Sequence, residues 1–220
     1  MKKVLSLITV LIFSALILFG CGKETTKTEK TANQSAAVET AEMTAAEEKE
    51  DHSSSSEVIT AEINIRDFGT IKFEMDAGKA PITVANFVSL AEAGFYNGLT
   101  FHRIIDGFMM QGGDPKGNGT GGSDQKIKGE FQANGVDNTQ SHVRGAVSMA
   151  RAADMNSASS QFFIVHKDST FLDGQYACFG YVTEGMELVD KICENTPVTD
   201  NNGTVRAENQ PVIESIRIIR

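Results

Sequence analysis

From Val58 onward the chain runs in short stretches in which apolar and polar residues alternate. Ile59, Ala61, Ile63 and Ile65 occupy every second position, Asp67-Phe68-Gly69 supplies a turn, and Thr70 to Met75 alternates again, which predicts a β-hairpin. Further runs of strand character are Thr100 to Ile105, Phe108 to Gln111, Val143 to Met149, Gln161 to Val165, Ala177 to Val182 and Val212 to Ile219. Two segments follow the helical period instead. Pro81 to Ala93 spaces Val84, Phe87, Val88 and Ala91 along one face, with Pro81 at the start and Gly94 past the end, and Glu184 to Cys193 does the same with Met186, Val189 and Cys193. Eight strands and two helices predict an all-β dominated fold, a closed eight-stranded antiparallel β-barrel capped by two α-helices.

The pattern is absent before residue 58. Residues 22 to 57 hold little that is apolar beyond Ala, Val38 and Met43, and they end in Ser53-Ser54-Ser55-Ser56. Such a stretch cannot bury enough surface to offset its ordering entropy, so residues 21–57 read as a disordered tether. Ahead of it, Met1-Lys2-Lys3 precedes an apolar run from Val4 to Phe19 and a break at Gly20-Cys21-Gly22. A basic start and an apolar segment shorter than the roughly 20 residues of a membrane span describe a signal peptide over residues 1–20. Leu18-Phe19-Gly20-Cys21 resembles the bacterial lipobox, which implies diacylation at Cys21 and a lipoprotein held on the outer side of the cell membrane. A retained signal anchor is the alternative, and it too leaves the rest of the chain outside the cytoplasm.

The net charge of -9 includes nine acids against four bases in residues 22–57 and twenty against fourteen in residues 58–220. With no cluster of Lys and Arg, a nucleic-acid surface is excluded. Cys178 sits in a predicted strand and Cys193 ends a predicted helix, which suits buried free thiols better than a disulfide. His52, His102, His142 and His166 show no metal-ligand spacing, and structural roles are expected for all four. Gly117-Asn118-Gly119-Thr120-Gly121-Gly122 satisfies G-x-G-x-x-G literally, but no strand and helix flank it, so it reads as a turn-rich loop.

The chemistry concentrates in Phe101 to Asp114, where one cation, Arg103, and one amide, Gln111, stand among Phe101, Ile104, Phe108 and Met109. That mixture suits a site that grips an uncharged apolar group and hydrogen-bonds to it. The two-residue period places Met109 and Gln111 on one face, and Gln161 and Phe163 on the face opposite to Phe162 and Ile164. Taken with Pro81 to Phe87, Gly145 to Ala150, Ser160 to Phe163, Phe171 to Gly174 and Phe179-Gly180, all in order, residues 58–220 resemble the cyclophilin family of peptidyl-prolyl cis-trans isomerases.

The resemblance implies that Arg103 and Gln111 are catalytic. It also implies that Phe108, Met109, Phe163 and Leu172 form a proline pocket with Gln161 beside it, and that Ala150 and Arg151 end a strand which pairs with the substrate backbone. The chain departs from the family at three positions: Phe171 stands for the pocket tryptophan, Tyr176 for the pocket histidine, and Arg151 for the asparagine after Ala150. The first implies weakened cyclosporin binding, and the last alters the charge of the peptide-binding edge. No cofactor or metal is implied. The expected function is isomerisation of X-Pro bonds in partly folded exported polypeptides, the alternative being a non-catalytic module that holds Pro-containing segments.

Overall fold

The computed structural model describes residues 58–219; the signal segment, Cys21 and the tether lie outside the described residues. Strands β1 (Val58–Ile65) and β2 (Gly69–Asp76) form the expected hairpin, paired from Val58↔Asp76 to Ile65↔Gly69. Its turn places Asp67 at φ 63°, a left-handed conformation that Asp tolerates better than most side chains. Ala61, Ile63, Ile65, Ile71, Phe73 and Met75, every second residue of each strand, are buried. Helix α1 (Pro81–Glu92) turns Val84, Phe87, Val88 and Ala91 inward. No side chain of its own caps its N-terminus; the buried carboxylate of Glu130 accepts from the backbone N–H groups of Ile82 (3.0 Å) and Thr83 (2.7 Å). A negative charge there satisfies two orphan donors and complements the helix dipole.

The remaining elements are β3 (Thr100–Ile105), β4 (Met109–Asp114), β5 (Ala146–Met149), β6 (Phe162–Val165), β7 (Cys178–Glu184), α2 (Met186–Asn195) and β8 (Ile213–Ile219). Glu184 closes β7 instead of opening the second helix, because Gly185, at φ 91°, breaks the chain between them.

The eight strands form one antiparallel sheet in the order β3-β4-β6-β5-β7-β2-β1-β8. The sheet is a curled, open half-barrel, which corrects the expectation of a closed one: β3 and β8 are its edges. They meet through the isolated bridge Thr100↔Val212 and flanking backbone bonds such as Phe101 N to Pro211 O (3.0 Å). Further along, the free edge of β3 is taken by the loop at Gly203–Val205, through Ile104 N to Gly203 O (2.8 Å) and Val205 N to His102 O (3.0 Å). With those backbone groups of β3 taken, its contact with β8 stays confined to the bonds around Thr100 and Val212 and does not extend into a ladder.

Apolar side chains gather in two clusters. The larger fills the inside of the curl, with Phe73, Phe87, Phe101, Phe162 and Phe179 among its members. The smaller lies on another face and comprises Met109, Ala146, Phe163, Val165 and Cys178, with Phe108, Leu172 and Tyr176 packed against it. Both Cys178 and Cys193 are buried free thiols, and burial pushes their pKa values up to about 11 and about 12. Neither is a thiolate at neutral pH.

Candidate active site

Sheet register alone lines up three of the predicted residues. Arg103 on β3 lies opposite Gln111 on β4, and Gln111 lies opposite Phe163 on β6. Close strand approach at this end depends on the two glycines that follow Gln111. A Cβ on Gly112 would come within 2.8 Å of the Thr100 carbonyl oxygen, and one on Gly113, at φ 80°, within 2.6 Å of that of Ser160. Beside this line opens a cavity of about 140 Å³ with Met109 and Phe163 at its base. Phe108, Leu172 and Tyr176 form its sides, Ala150 and Arg151 its rim, and Arg103 and Gln111 its polar flank.

The polar flank is a directed chain of hydrogen bonds. Arg103 Nη1 donates to Gln111 Oε1 (3.3 Å), Gln111 Nε2 to Gln161 Oε1 (2.9 Å), and Gln161 Nε2 to the carbonyl oxygens of Gly121 (2.6 Å) and Gly119 (3.2 Å). A guanidinium has donors only and a carbonyl is an acceptor only, so both amide orientations follow from the ends of the chain. Arg103 is further held by Nε donating to the Asn202 carbonyl (2.9 Å). Burial lowers its pKa from the ordinary arginine value, with Tyr176 and Asp200 opposing, and the group remains charged at any working pH.

The loop that receives the chain is fixed from behind by Asp114, which sequence reasoning left without a role. Its buried carboxylate accepts from the backbone N–H groups of Lys116 (2.8 Å), Asn118 (3.1 Å) and Gly119 (2.6 Å). Burial pushes the carboxyl pKa up, but these donors together hold it below the usual carboxylate value.

A second network backs the cavity base. His142 Nδ1 lies 2.8 Å from Asp173 Oδ1 and Nε2 lies 3.0 Å from Ser148 Oγ, while the ring stacks on Phe163 at 6.0 Å between centroids. The carboxylate can only accept, so Nδ1 carries the proton and Nε2 accepts from the Ser148 hydroxyl. Burial lowers the His142 pKa against the raising effect of Asp173. The order Ser-His-Asp matches a hydrolase triad, but Ser148 and His142 are fully buried, so no substrate reaches the hydroxyl. The network holds Phe163 in place. Its members are 6 and 31 residues apart and share no period, so no sequence pattern links them.

Two predicted residues sit outside the small cavity. Phe171 is 69% exposed with its ring tilted on Phe108 at 5.6 Å, while Gln161 lines a neighbouring cavity beyond Ala150. Cys21 lies outside the described residues. The glycine-rich loop is followed by turns and no helix, which leaves it without a dinucleotide-binding frame.

Comparison with known proteins matches residues 60–219 to the family profile described as "Cyclophilin type peptidyl-prolyl cis-trans isomerase/CLD". Peptidyl-prolyl cis-trans isomerase B of Bacillus subtilis (strain 168) is 49% identical over 56% of this chain and 83% of its own length. Peptidyl-prolyl cis-trans isomerase A of Dickeya dadantii (strain 3937) is 43% identical over 69% of this chain and 80% of its own. A solved cyclophilin type isomerase of Cryptosporidium parvum, crystallised in the presence of the dipeptide Ala-Pro, superposes with a TM-score of 0.64 at 31% identity, covering 73% of this chain and 99% of that one. With these matches spanning the sheet, both helices and the cavity, the chain belongs to the cyclophilin-type peptidyl-prolyl cis-trans isomerase family.

Proposed function

We propose that the chain accelerates prolyl isomerisation by binding the twisted amide more tightly than either planar form, with the proline ring in the 140 Å³ cavity and Arg103 beside the amide nitrogen. The uncatalysed barrier of about 18 to 20 kcal/mol comes from the partial double bond, and no covalent bond is made or broken. As conjugation is lost, the nitrogen pyramidalises and its lone pair becomes an acceptor. A guanidinium fixed by Asn202 and Gln111 stabilises that form selectively, because a planar amide offers no lone pair at nitrogen. Gln111 sets the orientation of the guanidinium, and the apolar base removes competing water.

The observation that carries this reading is the juxtaposition of the restrained, partly buried Arg103 guanidinium with a cavity of that size whose base is apolar. The Ala-Pro dipeptide in the crystals of the solved relative agrees with it. The measurement is the isomerisation rate of an Ala-Pro peptide with the full chain and with Arg103→Ala. Acceleration by the wild type, largely lost in the variant, is the expected result. Tight peptide binding without acceleration would replace the enzyme by a holding module.

The location is a proposal of the same kind. A diacylated Cys21 and a tether of residues 21–57 would keep the domain near newly exported chains, whose prolyl steps take tens to hundreds of seconds unaided. Fatty-acid labelling that persists in Cys21→Ser would remove the anchor from this account.

A further inference from the structure

Next to the proline cavity lies a second one of about 310 Å³, and Ala150 and Arg151 line both, so a peptide crossing that rim passes directly from one to the other. Its charge is the reverse of the molecule's. The chain carries a net charge of -9, yet Lys126 and Arg151 are the charged residues of this lining, which holds no Asp or Glu.

Neither cation is neutralised by a carboxylate. Among the described residues Lys126 is exposed and forms no ion pair. Arg151 is clamped between the rings of Phe131 (5.1 Å) and Tyr176 (4.7 Å). It spends its donors on the carbonyls of Gln175, Ala152 and Ala153, which fix its position and leave its charge intact. The acids nearby lie outside the lining: the Asp114 carboxylate keeps its charge but sits behind the loop wall with its oxygens turned to backbone N–H groups, Glu130 faces the N-terminus of helix α1, and Asp124 and Asp154 are exposed. The rest of the wall offers neutral groups such as Thr120, Ser157 and Ser159.

We propose that this cavity is a charge-selective subsite that takes an acidic side chain, Asp or Glu, lying within about three residues of the isomerised proline, roughly 10 Å of extended chain. The inference rests on the isomerase reading above and narrows it to a substrate class. Arg151, which stands where the family resemblance leads one to expect asparagine, supplies a fixed charge that the peptide meets on leaving the proline cavity, and Lys126 supplies a mobile one across the opening.

The test uses the full chain and a peptide series in which Glu, Gln or Lys is placed in turn at each of the three positions on either side of an Ala-Pro bond. At one or more positions Glu should raise kcat/KM about threefold to tenfold over Gln at low salt, with Lys below Gln, as expected for partly exposed charge pairs. The discrimination should fade toward 1 M salt, where the Debye length is about 3 Å. Lys126→Glu should shrink or reverse the Glu-to-Lys ratio, each rate being referred to the Gln peptide of the same variant, and Lys126→Gln should give an intermediate ratio. Acceleration of every peptide with no charge preference at any position overturns the subsite and leaves the isomerase. No acceleration of any peptide overturns both.

Discussion

Phe162 and Phe163 are neighbours in sequence and opposites in role. Phe162 belongs to the interior cluster, with edge contacts to Phe87, Tyr96 and Phe101, while Phe163 forms the base of the outer cavity and stacks on His142. Both are buried, so burial alone does not separate a core from a site. The interior cluster is enclosed by apolar neighbours and aromatic edges. The outer one leaves a gap of about 140 Å³ and surrounds it with hydrogen bonds whose directions are fixed. One strand thus packs a closed core with one face and borders an open, hydrogen-bonded cavity with the other, and it is the polar rim that sets the second face apart.

The sharpest way to test that division is to empty each side in turn. Phe162→Ala should cost about 3 to 5 kcal/mol of stability, as a well-packed core aromatic does, with kcat/KM preserved in the fraction that remains folded. Phe163→Ala should cost less stability, because it borders an existing gap, and should lose most of the activity. Denaturant melts and kcat/KM on an Ala-Pro peptide measure both. Equal losses of stability and activity in the two variants would erase the distinction. Next in size, Arg103→Ala should lower kcat/KM by about 10² to 10³, the magnitude seen when a preorganised donor is removed, with the denaturation midpoint little changed. A KM effect alone would make Arg103 a binding residue.

This division was legible in the sequence through parity: alternation at Gln161 to Ile164 separates Phe162 from Phe163, and alternation at Met109 to Gln111 faces Gln111 outward. What parity cannot supply is long-range partnership. Glu130 reaches α1 from 47 and 48 residues away, and Asp173 reaches His142 from 31, through loops that carry no period. The open sheet was hidden for a related reason: the strand count suggests closure, but the edge of β3 is claimed by the irregular loop at Gly203–Val205. Phe171 was placed in the cavity by its position in a motif; the short 3-10 turn of residues 170–172 sends Leu172 into the cavity and leaves Phe171 largely in solvent.

Histidines extend the comparison to pH. His102 is buried beside Gly119 of the glycine-rich loop with neither ring nitrogen partnered, and His142 backs the outer cavity with both partnered, yet burial lowers the pKa of each. For His102, burial is joined by Arg103 and opposed by Asp114. A histidine whose folded pKa lies below its unfolded value of about 6.5 takes up its proton preferentially in the unfolded chain. Stability is therefore level above that pH and falls as pH drops from about 6.5 toward the folded values, by at most about 1.4 kcal/mol per pH unit for each proton. Urea melts between about pH 6.5 and 4.5 should show this slope, and His142→Gln should reduce it, by at most one proton. An unchanged slope would mean that His142 is already protonated in the fold and that the Ser148 bond runs the other way. Below about pH 4, Asp114, which is buried, and Asp173, which is exposed, are both held under the ordinary carboxylate value by the hydrogen bonds they accept and add a further loss as they protonate.

The smallest expected effect probes the polar rim itself. If the chain from Arg103 through Gln111 and Gln161 to the loop carbonyls is what distinguishes the outer face, its links differ in importance by their distance from the guanidinium. Gln161→Leu removes the acceptor for Gln111 and the donor to Gly121, freeing Gln111 to turn away from Arg103; with one neutral hydrogen bond worth about 1 kcal/mol, kcat/KM should fall about fivefold. Gln161→Glu keeps an acceptor for Gln111 but turns a charged carboxylate oxygen toward the Gly119 and Gly121 carbonyls in place of a donor, so Gln111 stays aligned while the loop is pushed away, and the fall should be about twofold. The two variants change side-chain volume little, and the site borders solvent, so stability is a poor explanation for a difference between them. A larger loss in Gln161→Glu than in Gln161→Leu would show that the loop contact matters more than the alignment of Gln111. The outer face would then owe its activity to the glycine-rich loop that Asp114 pins, instead of to the line of residues that sheet register sets beside Arg103.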